Sequence, residues 1–209
     1  MPAASVVLVN GLWLGNAAMA LLARRLRRAG FVVQVFSYPT TRNDLRANAG
    51  LLQRFLAQQP GETVHLVGYS LGGLVIRALF HFHPEQRPGR IVLLGSPQRR
   101  SRAAEALARS PLTARLLGRS LAELNAGQPQ AWAWPERETG VIAGTLPTGL
   151  GRLVTRLPAP HDGTVALEET MLAEAGARLA LRVSHFGLLL SPTVARQAGA
   201  FLRTGAFSA

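Results

Sequence analysis

The sequence predicts an α/β fold, with six strands in a mostly parallel sheet and helices on both faces. Three observations predict it. Short apolar or β-branched runs alternate with longer segments of helical period along the whole chain, which is the order of crossover-connected parallel strands. The first strand candidate, Ser5–Val9, reads as an apolar run of the kind buried on both faces of a parallel sheet. Another, Thr63–Tyr69, runs straight into a helix-period pattern with only Gly68-Tyr69-Ser70-Leu71-Gly72 at the junction.

Length and composition bound this reading. A chain of 209 residues with 48% hydrophobic content suffices for one domain with a sizeable core and is short for two, so 1–209 is read as a single domain. The formal net charge is +12, and every basic residue is Arg, an all-arginine set most simply explained by the bias of a GC-rich genome. The charge still favours anionic surfaces, at most a weak contact with anionic membrane. Nucleic acid is not expected, because no basic strip with interleaved aromatics occurs. The absence of Cys excludes disulfides and thiolate metal sites. No cofactor fingerprint is found; Gly149-Leu150-Gly151 is too short to count as a phosphate loop. Val6–Ala20 is apolar and Ala18-Met19-Ala20 imitates a signal-peptidase site, but no positive charge precedes it and cleavage would remove a needed strand. The expectation is a mature, cytoplasmic protein without a membrane-spanning helix.

Ser5–Val9 is the first strand and ends in the loop Asn10-Gly11-Leu12-Trp13. Asn16–Ala29 has helical period, with Asn16 as its expected cap and Arg24, Arg25, Arg27 and Arg28 near its end, where positive charge suits the helix dipole. Phe31–Tyr38 is the second strand and Asp44–Gln59 the second helix, closed by Pro60-Gly61. The third strand and its junction follow. So tight a strand-to-helix turn puts its apex residue in strained backbone and requires tiny neighbours, here Gly68 and Gly72. Ser70 then stands at the apex with its hydroxyl exposed, and Leu71 N–H lies free in the first turn of the helix. That arrangement is a nucleophile with half an oxyanion hole. With the strand before it and the helix after it, the stretch resembles the nucleophile elbow of the α/β-hydrolase family, in particular its small bacterial lipases and esterases.

The helix after the elbow ends near His83-Pro84. His81 and His83 have no further ligand beside them and read as solvated or capping residues; His65, inside the third strand, reads as a satisfied core or edge residue. Arg90–Gly95 is the fourth strand. Arg102–Asn125 is helical by pattern, with Leu112, Leu116, Leu117, Leu121 and Leu124 along one side. Trp132 and Trp134 read as packing residues. Thr139–Gly144 is the fifth strand, followed by a Gly- and Pro-rich loop over Thr145–Pro160, then His161-Asp162-Gly163-Thr164-Val165. Ala177–Val183 is the last strand, Ser184-His185-Phe186-Gly187 follows it directly, and Pro192–Arg203 is the closing helix. A His after the last strand sits along the same sheet edge as the elbow, where a general base must be to reach Ser70.

The resemblance adds several expectations. It assigns the second oxyanion donor to Leu12 N–H, although Asn10 stands where the family places His. It implies that residues 98–138 form a cap over an acyl pocket, against the plainer reading of an ordinary crossover helix. Substrate-binding roles fall to Trp13, Tyr69, Leu116 and Leu117. Relatives often carry a Gly-Ser pair shortly after the fourth strand, whereas here the chain reads Gln98-Arg99-Arg100-Ser101, a departure at the rim of the site. The family order of Ser, acid, His leaves Asp162 as the acid, since the only other aspartate, Asp44, precedes the elbow; Glu168 and Glu169 are the fallback acids. It leaves His185 as the only one of the five histidines that follows Asp162. No hairpin precedes Ser5, which implies a trimmed version of the fold. The activity implied is hydrolysis of a small-molecule ester or lipid through an acyl-enzyme, without metal or cofactor. A thioesterase or acyltransferase would use the same residues, and a non-catalytic binder would not need all three of them.

Overall fold

The four central strands, Ser5–Val9, Val64–Tyr69, Ile91–Leu94 and Thr139–Gly144, are buried at every position and lie between two layers of helix, whereas the two edge strands largely alternate between exposed and more buried positions. The computed structural model describes residues 4–149 and 156–208, apart from the side chain of Leu112; part of the loop expected over 145–160, including Leu150 and Gly151, lies outside them. Its elements are β1 (Ser5–Val9), α1 (Asn16–Arg28), β2 (Val32–Phe36), α2 (Leu45–Ala57), β3 (Val64–Tyr69), α3 (Leu71–Phe82), β4 (Ile91–Leu94), α4 (Arg102–Ala108), α5 (Pro111–Asn125), β5 (Thr139–Gly144), β6 (Ala177–Leu181), α6 (Gly187–Leu190) and α7 (Pro192–Thr204). The strands lie in the order β2-β1-β3-β4-β5-β6, and every neighbouring pair is parallel. All six expected strands are present, and the sheet is parallel throughout.

Alternation along each strand divides the core in two. Val7, Val9, Leu66, Leu93 and Val141 pack with α2, α3 and the α5 residues Leu117, Leu121 and Leu124. Val6, Leu8, Val67, Val92 and Ile142 pack with α1, α6 and α7 on the other face. Each fully buried side chain of this size contributes about 1.5–3 kcal/mol relative to exposure, so neither helical layer is dispensable. Val6–Ala20 is β1, its exit loop and the start of α1, with Met19 fully buried. No helix among the described residues is long and apolar enough to cross a membrane.

Two local expectations are corrected, the cap of α1 and the unbroken helix over 102–125. Asn16 is the first residue of α1 rather than its cap; Gly15 occupies the cap position, and Asn16 Oδ1 accepts from Ser37 Oγ at 2.5 Å. The arginines of α1 divide: Arg25 donates to Leu190 O and Arg27 to Val33 O, while Arg24 and Arg28 are exposed. The continuous helix expected over 102–125 is broken twice. Ser110-Pro111 ends one helix and starts the next, and Gly118 inside α5 has φ 74° and ψ 177°, which no helix accommodates. The break rotates the second half of the segment relative to the first, and separates the leucines that a single helix would have aligned.

His65 supplies a test of the core beside the elbow. It is 5% exposed, and its Nδ1 accepts from Arg90 N at 2.8 Å, so the neutral ring is the form the fold holds. Burial first, then the charges of Arg90 and Arg137, lower its pKa to about 4. The unfolded chain, with a reference value of roughly 6.5, takes up the proton first as pH falls. The stability held by neutral His65 is therefore lost between pH ~6.5 and ~4, up to about 3 kcal/mol. His65→Asn, which keeps an acceptor for Arg90 N–H, should show a shallower fall in urea midpoint between pH 7 and pH 4 than the parent. Parallel declines for the two proteins would contradict this.

Candidate active site

β3 enters α3 without a loop, and Ser70 takes the whole change of direction at φ 51° and ψ −121°. Only two non-glycine residues among those described have positive φ, Ser70 and Trp13, and both lie at the C-terminal edge of the sheet. Ser70 N–H still bonds to Leu94 O at 2.9 Å, so the strain is confined to the apex. Gly72 is required by close approach: a Cβ there would stand 2.2 Å from Val9 O, where the start of α3 presses on the end of β1. The first-turn position of Leu71 leaves its N–H outside the helix ladder, and neither it nor Leu12 N–H has a partner among the described residues.

Two loops meet beside Ser70. In the loop after β5, Asp162 closes a tight turn: its Oδ1 accepts from Thr164 N at 2.9 Å and Val165 N at 2.7 Å, which aims Oδ2 outward. His185, in the turn after β6, donates its main-chain N–H to Asp162 O at 2.8 Å and sets Nδ1 2.6 Å from Asp162 Oδ2. Asp162 is 1% exposed. With Nδ1 occupied, Nε2 is the nitrogen of His185 left for chemistry. Gly95, at φ 53°, makes the room, since a Cβ there would lie 3.1 Å from Asp162 Oδ2 and 3.2 Å from His185 Nδ1. Ser70 and His185 line one cleft, and Ser70 Oγ has no hydrogen-bond partner among the described residues. Serine–base contacts of this kind are often loose without substrate.

The alternative acids are held elsewhere. Glu168 is exposed and pairs with Arg102 at 3.3 Å. Glu169 is buried and takes Arg102 N at 2.7 Å and Ala166 N at 2.8 Å, tying the start of α4 to the loop of Asp162; burial pushes its carboxyl up, against those two donors. His161 accepts from Gly163 N and does not enter the pair. His81 stacks on Trp132 at 4.9 Å, and among the described residues no cluster of His, Asp and Glu could hold a metal ion.

No protein-family model matches the chain, and no curated protein matches it by sequence. Solved structures do match. The mature form of the Bacillus licheniformis lipase BlEst2 superposes with a TM-score of 0.77 at 20% identity, over 99% of this chain and 93% of that one. The chain has the α/β-hydrolase fold. A carboxylesterase of Bacillus subtilis, CesB, matches with a TM-score of 0.58 at 16% identity over 98% and 85% of the two chains. A pyrethroid hydrolase, PytH, matches with a TM-score of 0.62 at 15% identity over 97% and 98%.

On this α/β-hydrolase scaffold the cleft measures about 590 Å³. One wall comes from Leu12, Trp13 and Leu14, and another from Ala103, Ala104 and Leu107 of α4 with Leu117 and Leu121 of α5. Among the described residues no Asp, Glu or Arg lines it, in a protein with 23 arginines. Ser101, in the segment that departs from the family pattern, caps α4 through Ala104 N at 3.3 Å and reaches the cleft rim. Of the expected substrate-binding residues, Trp13, Tyr69 and Leu117 line the cleft. Leu116 does not: its side chain is 55% exposed, and only its carbonyl takes part, accepting Trp13 Nε1–H at 2.8 Å. Tyr69 does more than line the wall. Its ring packs 5.0 Å from the His185 ring, and its hydroxyl donates to His185 O at 3.2 Å. Burial, and then the charge of Asp162, raise the Tyr69 hydroxyl above its ordinary range, so it stays protonated as a donor.

Proposed function

We propose that this protein is a serine hydrolase that cleaves neutral carboxylic esters through an acyl-enzyme. The observation that carries the reading is the strained Ser70, at φ 51°, in the same apolar cleft as a His185–Asp162 pair 2.6 Å apart. Ser70 Oγ attacks the ester carbonyl as His185 Nε2 takes its proton. The carbonyl electron pair moves onto oxygen, where Leu12 and Leu71 N–H groups stabilise it, and returns as the alcohol leaves with the proton from His185. Water then repeats the sequence and releases the acid. Asp162 holds the imidazole in the tautomer with its proton on Nδ1 and stabilises the charged ring. A thiol ester would meet the same residues, and an alcohol able to displace water would make the same site an acyltransferase.

The lining supports an apolar substrate. An uncharged, leucine- and alanine-rich wall favours an acyl chain over a charged group, and each buried CH₂ is worth about 0.8 kcal/mol. On p-nitrophenyl esters of graded length, kcat/KM should climb roughly fourfold per CH₂ until the cleft is full. Leu117→Asp should cut activity on long esters far more than on acetate, whereas Leu116→Asp, on an exposed side chain, should change that ratio little. Equal losses on both substrates for folded Leu117→Asp would make α5 mere scaffold.

A further inference from the structure

We infer that Trp13 is a positioning residue: through its indole N–H it fixes the loop carrying Leu12 to the segment that walls the cleft, so that pocket and oxyanion donor are set as one piece. This rests on the reading of Ser70 given above. Trp13 is more than half exposed, so core burial does not explain it, yet it holds a left-handed backbone at φ 60°. Such strain persists only where the surroundings over-determine it. Here two bonds do so: Trp13 N–H reaches Thr40 Oγ1 at 3.3 Å, and Nε1–H reaches Leu116 O at 2.8 Å.

The second partner exists because α5 is broken. In an unbroken helix Leu116 O would accept from the amide four residues on. Gly118 turns the chain out of the helix at that point and releases the carbonyl, which the indole takes. Gly118 itself lies on the chain beside Thr40, since a Cβ there would be 2.4 Å from Thr41 Cα. The rest of α5 is pinned to the same segment: Ser120 Oγ donates to Asn43 O at 3.1 Å, and Glu123 Oε2 accepts from Leu45 N at 2.9 Å. The Leu12 loop meets the elbow directly, as a Cβ on Gly11 would stand 3.1 Å from Ser70 Cβ. Residues 10–14, 39–45 and 116–123 therefore interlock, and Trp13 is the link on the side of the oxyanion loop.

Trp13→Phe keeps the ring and removes the bond to Leu116 O; Trp13→Gly suits the positive φ and removes the link altogether. Both should be assayed with a p-nitrophenyl ester and with an alkyl trifluoromethyl ketone. Ser70 Oγ adds to the ketone carbon, its proton passing to His185 and the carbonyl electron pair becoming an oxyanion. In each variant kcat should fall about tenfold, less than the 10²–10³ of losing a donor outright, and in Trp13→Phe, which keeps the aromatic wall, KM should stay within about twofold of the parent. Ketone affinity should fall by the same factor as kcat, at unchanged thermal midpoint. A rise in KM at unchanged kcat would reduce Trp13 to pocket lining and overturn the inference, as would unchanged ketone affinity or failure of both variants to fold. If the parent protein neither hydrolyses the ester nor takes up the ketone, the reading of Ser70 fails and this inference with it; a reactive parent with indifferent variants defeats the inference alone.

Discussion

Replacing Ser70 or His185 by Ala should remove nearly all esterase activity, roughly 10⁶-fold in kcat, and the double variant should be little worse than either single one. In the proposed mechanism the two side chains act in one proton transfer, so the second loss would find nothing left to remove. Neither fills the core: Ser70 is partly exposed and His185 lies on the cleft wall. Circular dichroism should therefore show both variants folded. Their stabilities should differ, however. Ser70 Oγ holds no partner among the described residues, whereas His185 is the partner of a carboxylate that is 1% exposed. Removing His185 leaves Asp162 Oδ2 buried without its donor, so His185→Ala should melt lower than Ser70→Ala. A sum of two independent losses in the double variant would mean that the residues do not act together.

Asp162→Asn should cost about 10⁴-fold in kcat while the protein stays folded. The structure gives the reason atom by atom. An Asn side-chain oxygen can still accept from Thr164 N and Val165 N, so the turn after β5 survives. Its amide must then donate where Oδ2 accepted, which forces the His185 proton onto Nε2, the atom that has to receive the proton of Ser70. The geometry is kept and the tautomer is wrong. Asp162→Ala should lose the turn as well and fold less well. Near-parental activity in folded Asp162→Asn would move the acid elsewhere. Glu169, buried but committed to Arg102 N and Ala166 N, would be the next residue to replace.

How much of this could be read from the sequence depended on how local the cause was. The central strands were legible because burial on both faces leaves a nearly continuous apolar run, the edge strands because they largely alternate, and the elbow because its strained apex demands Gly68 and Gly72 at fixed spacing. Asp162 was legible largely because the chain holds one other aspartate, and the Asp-Gly that follows it suits the turn that orients its carboxylate. The breaks in α4–α5 were not. A single Gly among leucines of helical period costs only about 1 kcal/mol, so pattern outweighs it in the sequence, whereas Gly118 is fixed by contact with Thr41, far along the chain. Leu116 and Leu117, adjacent and so turned about 100° apart on any helix, lie one outside and one in the cleft. Contacts across the sheet edge were equally hidden: the room that Gly95 leaves for His185 and Asp162, the Tyr69 hydroxyl on His185 O, and the indole of Trp13 on Leu116 O each join segments remote in sequence. The loop of Leu12, proposed to hold the oxyanion, shows the same limit. Asn10, where the family has His, is buried with its Nδ2 on Ser37 Oγ at 2.7 Å and its carbonyl taking Tyr38 O–H at 2.8 Å, a tether the sequence alone does not display.

The central claim is that Ser70 is a nucleophile activated by His185. Intact-mass and peptide mass spectrometry after brief exposure to an alkyl fluorophosphonate tests it most directly, since attack by Ser70 Oγ expels fluoride and leaves a stable phosphonyl ester. One adduct per chain, located on Ser70 and formed far more slowly in His185→Ala, is the result expected. A folded protein that stays unlabelled, or that is labelled on another residue at the same rate with and without His185, would contradict the account.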